Sequence, residues 1–180
     1  MVKALTRSAA VLALCAALPA LAQDAPLYRD RTRPVDERVR DLLARMTLEE
    51  KVAQTLGIRK GKEKITDAAG QFDPAGARAL IANGLGQLAR PTELRDKPTK
   101  ILLGPRENAV FVNAVQKWLI ENTRLGIPVM THEEALHGLV APKGTNFPIP
   151  IALASTWDPA LVERVMGIAA LEARAPAGSS

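Results

Sequence analysis

The sequence predicts an α/β chain, rich in helix and poor in strand, built from parallel β/α units whose sheet does not close into a barrel. Three features lead there. Short apolar stretches at 85–89 and 127–131 read as strands, and a segment with helical apolar spacing lies between them. The order strand, helix, strand, loop, helix is the rhythm of parallel β/α units. The length sets the third limit. Once an expected leader is removed, 158 residues remain, against the roughly 250 typical of a closed eight-stranded β/α barrel.

The leader is residues 1–22. Lys3 and Arg7 precede an uncharged apolar run from Ala9 to Ala22 that ends Ala20-Leu-Ala22, the layout of a cleavable export signal. The run is shorter than the roughly 20 residues of a spanning helix, and Pro19 interrupts it. Cleavage is therefore expected between Ala22 and Gln23, with no membrane attachment afterwards. Leu14 is bulky where a lipidation site at Cys15 needs a small residue. Because Cys15 is the only cysteine, the mature chain can form no internal disulfide.

The formal charge of +5 falls to +3 when Lys3 and Arg7 leave. Basic clusters at Arg29–Arg33, Arg59–Lys64 and Arg90–Lys100 are interleaved with acids, and aromatic residues make up only 3% of the chain. A stacking platform for nucleic acid is not expected from such a surface.

Residues 23–34 read as a polar N-terminal extension. Val35, Val39, Leu42, Leu43 and Met46 then fall at helical spacing. Thr47 and Glu50 form a capping box, in which the hydroxyl accepts the third helical N–H and the carboxylate reaches back to the cap; a second helix is expected over Leu48–Leu56. The charged stretch Arg59–Gln71 reads as a loop. Asp73-Pro74 opens a third helix with Ala77, Leu80 and Ile81 buried, and Asn83-Gly84 ends it. Arg90–Lys100 reads as a long connection. The strongest helix is expected over Pro105–Arg124, with Val110, Phe111, Ala114, Val115, Trp118 and Leu119 on its buried stripe. A loop from His132 to Pro150 follows the second strand, and Asp158-Pro159 caps a last helix reaching about Arg174. Trp118 and Trp157 are both expected in the core.

The chemistry-bearing segment is His132-Glu-Glu-Ala-Leu-His137. A zinc-protease helix needs two histidines four apart on one face, whereas five apart on a helix sets them about 140° apart around the axis. No metal site is expected, nor any cofactor. As a loop leaving the C-terminal end of a strand, the segment sits where β/α proteins place their ligands. An ionised carboxylate there can accept hydrogen bonds from two neighbouring sugar hydroxyls. Side chains alternate along extended backbone, so only one of Glu133 and Glu134 should face the ligand.

Five motifs in order carry a resemblance. They are Met46-Thr-Leu-Glu-Glu-Lys-Val-Ala-Gln54, Arg124-Leu-Gly-Ile-Pro-Val129, Glu133-Glu-Ala-Leu-His-Gly138, Phe147-Pro148 and Ala154-Ser-Thr-Trp-Asp-Pro159. Together they resemble the N-terminal domain of glycoside hydrolase family 3, of β-glucosidase and β-xylosidase type. The resemblance implies that 35–175 is the opening part of a (β/α)8 TIM-like barrel, with 176–180 a short tail outside the family pattern. It implies a retaining β-glycosidase acting on β-linked glucosides or xylosides, in which the acid three before the His-Gly pair, Glu134, binds sugar hydroxyls. His137 is a candidate ligand contact or loop-orienting residue, and Glu133 a supporting acid. The family's nucleophile motif, Lys-His motif and Arg-rich segment have no match in these 180 residues, so the chain is expected to be inactive alone, with a parallel sheet edge exposed. The competing expectation is an exported non-catalytic module that binds sugars or pairs with a chain supplying further strands.

Overall fold

The computed structural model describes residues 26–95 and 101–174. The expected leader with Ala22 and Gln23, Cys15, and the tail 176–180 lie outside the described residues, as does 96–100 within the expected connection.

The chain divides into two compact units after Ala44. In the first, a 3₁₀ turn at Leu27–Arg29 is tied to helix α1, Val35–Arg45. The Tyr28 N–H donates to the Asp41 carboxylate at 3.0 Å, and the Arg38 guanidinium donates to the Tyr28 carbonyl at 3.0 Å. The apolar stripe of α1 contains no buried residue.

The second unit opens with α2, Leu48–Thr55, and both arms of the Thr47/Glu50 capping box are formed. Strand β1, Gly57–Ile58, follows directly. At two residues it is too short to leave any periodic trace in the sequence. Helix α3, Pro74–Ile81, starts on Asp73, whose carboxylate accepts from the N–H groups of Ala75 and Gly76. Ala77 and Ile81 are buried as expected, while Leu80 faces outward. Strand β2, Gln87–Ala89, comes next. The expected long connection Arg90–Lys100 instead contains β3, Glu93–Arg95, which pairs antiparallel with β4, Ile101–Leu102, just beyond its end. Its prolines and charges hid this ribbon.

Helix α4 spans Pro105–Asn122 and buries Phe111, Val115, Trp118 and Leu119. Val110, expected on that stripe, is 62% exposed. Strand β5 is Met130–His132, starting three residues later than expected. The shift has a local cause: the Gln116 amide donates to the Val129 carbonyl at 2.8 Å and accepts the Val129 N–H at 3.0 Å, so both backbone groups of Val129 are occupied by a side chain. A short helix α5, Pro150–Ala154, precedes α6, Pro159–Arg174. Asp158 caps α6 by accepting the Leu161 N–H at 2.9 Å. Trp157 corrects the sequence expectation. It is 91% exposed with φ +55°, because the left-handed bend leading into the Asp158 cap turns the ring away from the core.

The strands β1, β2 and β5 form one parallel sheet in that order, open among the described residues. Its core joins Leu85, Leu88 and Val129 from the sheet segments to Ala77 and Ile81 of α3 and the buried face of α4. Gly86 allows the close approach of β2 to the end of α2: its N–H donates to the Ala53 carbonyl, and a Cβ there would meet the Gln54 carbonyl oxygen at 1.9 Å.

Candidate functional site

In a parallel sheet all C-terminal strand ends lie on one side, so the residues just after β1, β2 and β5 converge. These are Arg59, Arg90 and the pair Glu133 and Glu134. Arg90 has φ +49°, an uncommon conformation for a residue with a side chain. Its N–H donates to the His132 carbonyl at 2.8 Å, and its own carbonyl accepts the Glu93 N–H at 2.9 Å. Its guanidinium pairs with the Glu93 carboxylate at 2.8 Å, both side chains being largely buried.

Glu134 stands between two arginines. One carboxylate oxygen lies 3.7 Å from Arg59 Nε and the other 3.7 Å from Arg90 Nη1. Both distances exceed those of a good hydrogen bond, so the attraction is coulombic and the oxygens keep lone pairs for other donors. The Glu134 side chain is 43% exposed. Glu133 is turned differently: one oxygen accepts both the N–H of Thr92 at 3.0 Å and its hydroxyl at 2.8 Å, fastening the loop to the β2–β3 turn. The Glu133 side also lines a cavity of about 430 Å³ with Pro91, Asn108, Val112, His132 and Ala135.

Beneath this group lies Lys62, which is 1% exposed. It sits in a 3₁₀ turn, Lys62–Lys64, entered through Gly61. Its ammonium donates to the Arg59 carbonyl and, at 3.1 Å, to the Ala89 carbonyl. Burial pushes its pKa down, partly opposed by Glu93 and Glu133, while Arg90 and Arg59 add to the lowering. The sequence expectation placed Lys62 in an exposed charged loop. Only the fold shows that its stem is enclosed.

His137 is half-buried in the loop, and its carbonyl accepts the Phe147 N–H at 2.8 Å. Gly138 follows with φ +105°, where a Cβ would meet the Thr145 carbonyl oxygen at 1.9 Å. Thr145 is in turn held by α6: its N–H donates to the Glu172 carboxylate at 2.9 Å, and its hydroxyl donates to the same group. Those two bonds, hydroxyl first, hold the Glu172 carboxyl below its ordinary range. The 133–149 segment is therefore a folded loop stitched at both faces. Among the described residues no three His, Cys, Asp or Glu side chains form a metal-holding group. No described helix is long and apolar enough to cross a membrane.

Comparison with known proteins defines the class. The glycosyl hydrolase family 3 N-terminal domain matches residues 47–177. The chain is similar to a β-glucosidase C of Emericella nidulans, 31% identical over 152 residues, covering 80% of this chain and 23% of that protein. A periplasmic β-glucosidase/β-xylosidase of Dickeya chrysanthemi is 31% identical over 157 residues, covering 82% of this chain and 23% of its own. A solved β-glucosidase of Erythrobacter marinus superposes with TM-score 0.61 at 33% identity, covering 86% of this chain and 19% of that one. The chain belongs to glycoside hydrolase family 3, and it corresponds to the N-terminal domain of that family. It spans about a fifth of the length of these relatives.

Proposed function

We propose that this chain is the opening part, over 35–175, of the barrel domain of an exported β-glycosidase that removes glucose or xylose from β-linked saccharides. The observation that carries the reading is the Glu134 carboxylate, half-exposed at the C-terminal ends of the parallel strands between Arg59 and Arg90. The side chain stands in the open between two arginines, and a carboxylate accepts hydrogen bonds from adjacent hydroxyls of a pyranose. Glu134 and His137 are assigned to the sugar, and Glu133 to holding the loop through Thr92.

The reaction belongs to the retaining class: a carboxylate attacks the anomeric carbon to form a glycosyl-enzyme while an acid protonates the leaving oxygen, and water then releases the sugar. Neither group is assigned to a residue of this chain. The export assignment rests on the Lys3, Arg7 and Ala9–Ala22 pattern and on similarity to the periplasmic enzyme of Dickeya chrysanthemi.

The test uses the purified 180-residue protein. It is expected to release no nitrophenol from nitrophenyl β-glucoside or β-xyloside above a blank. Methyl β-glucoside is expected to give saturable NMR shifts at the amides of Glu134 and His137, and Glu134→Gln to weaken them at least tenfold. Turnover would overturn the assignment of nucleophile and acid outside this chain. Absence of saturable shifts would overturn the sugar site.

A further inference from the structure

We propose that Lys62 is the positioning residue of this site, its buried ammonium tying the ends of β1 and β2 together so that Arg59 and Arg90 are held on either side of Glu134. The inference rests on the reading of Glu134 as the sugar-binding acid, but the positioning itself is a property of the charged cluster.

The two carbonyls that accept from Lys62 belong to Arg59 and Ala89. Arg59 is one of the two arginines, and Ala89 immediately precedes the other. Both acceptors lie where strand pairing stops: β1 ends at Ile58 and β2 at Ala89. Past those points no ladder bond fixes the separation of the two chains, and a donor that reaches both carbonyls does. A lysine suits this task because its ammonium has three donors in a compact head.

Burying an ammonium is costly unless it is well bonded. Here the cost is spread over two carbonyl bonds and the nearby Glu93 and Glu133 carboxylates. Those two acids are also the anchors of the rest of the site, Glu93 holding the Arg90 guanidinium and Glu133 holding Thr92. Lys62 thus bonds the ends of two strands and lies within electrostatic reach of two acids that fasten the cluster. Arg90, with its left-handed backbone, depends on such surroundings to stay in that conformation. The charges facing Lys62 are Arg59, Arg90, Glu93 and Glu133, drawn from the ends of β1, β2 and β5 and from β3.

The test compares the parent with Lys62→Met, which keeps the stem and removes the donors, and with Lys62→Gln, which keeps an amide donor. Three readouts are taken on each: the side-chain Nε–H NMR signals of Arg59 and Arg90, the binding of methyl β-glucoside, and the thermal midpoint. In Lys62→Met the Arg90 Nε–H signal is expected to move toward that of a free arginine and sugar affinity to fall at least tenfold, with the midpoint held or raised because a buried charge has been removed. Lys62→Gln is expected to lie between the two. A merely structural role moves the midpoint and leaves the arginine signals of the folded protein in place; that result overturns the proposal. Should the parent bind no sugar while the arginine signals still move in Lys62→Met, the sugar reading falls and the positioning role stands. If neither variant folds, Lys62 is a folding determinant and the positioning proposal is rejected.

Discussion

Arg124 and Glu50 stand 74 positions apart, and the Arg124 guanidinium donates to one Glu50 oxygen at 2.9 Å and to the other as well, while also reaching the Arg45 carbonyl. Glu50 is at the same time the return arm of the capping box, its carboxylate accepting the Thr47 N–H at 2.9 Å. These bonds, led by those from Arg124 and opposed by burial, lower its pKa from the ordinary 4.5. The unfolded chain therefore binds a proton at Glu50 more readily than the folded one. The stabilisation is complete above about pH 4.5 and is lost as pH falls through the depressed folded value. Arg124→Ala is expected to cost about 1–2 kcal/mol near neutral pH. Urea melts should show that difference shrinking in acid; a difference independent of pH would mean that Glu50 is not the partner that matters. The box itself was legible in the sequence because its two residues are three apart. The arginine was legible only as part of a family motif.

Among the elements, α4 shows how far periodicity goes. The helical stripe correctly placed Phe111, Val115, Trp118 and Leu119 in the core, with Trp118 meeting the Phe72 ring edge-on at a centroid distance of 6.4 Å. It failed at Val110, because the stripe gives the direction of the buried face and not its width. Trp118→Ala is expected to destabilise by about 3–5 kcal/mol, and Val110→Ala by no more than about 0.5 kcal/mol. Thermal melts of the two variants separate them; equal losses would contradict the orientation of α4. The strands were less legible. β1 and β4 have two residues each, and the start of β5 depends on a side chain of α4 that captures Val129. No alternation pattern can report a contact of that kind.

Over the whole chain, the parallel sheet ends at β5 among the described residues, and Met130 on that strand is 66% exposed. An exposed edge with an apolar side chain is a pairing hazard. The 180-residue protein is expected to self-associate with rising concentration, and Met130→Lys to reduce this as followed by light scattering. An unchanged association curve would place the contact elsewhere. Local signals act within a few residues, which is why the caps of α2, α3 and α6, the course of α4 and the family motifs could be read directly from the sequence. The tertiary structure decided what surrounds Glu134. Lys62 meets Ala89 across 27 positions and Thr92 meets Glu133 across 41, pairings set by parallel strand register. A charged loop and a charged core lysine are spelled with the same letters, and only the sheet that encloses Lys62 tells them apart.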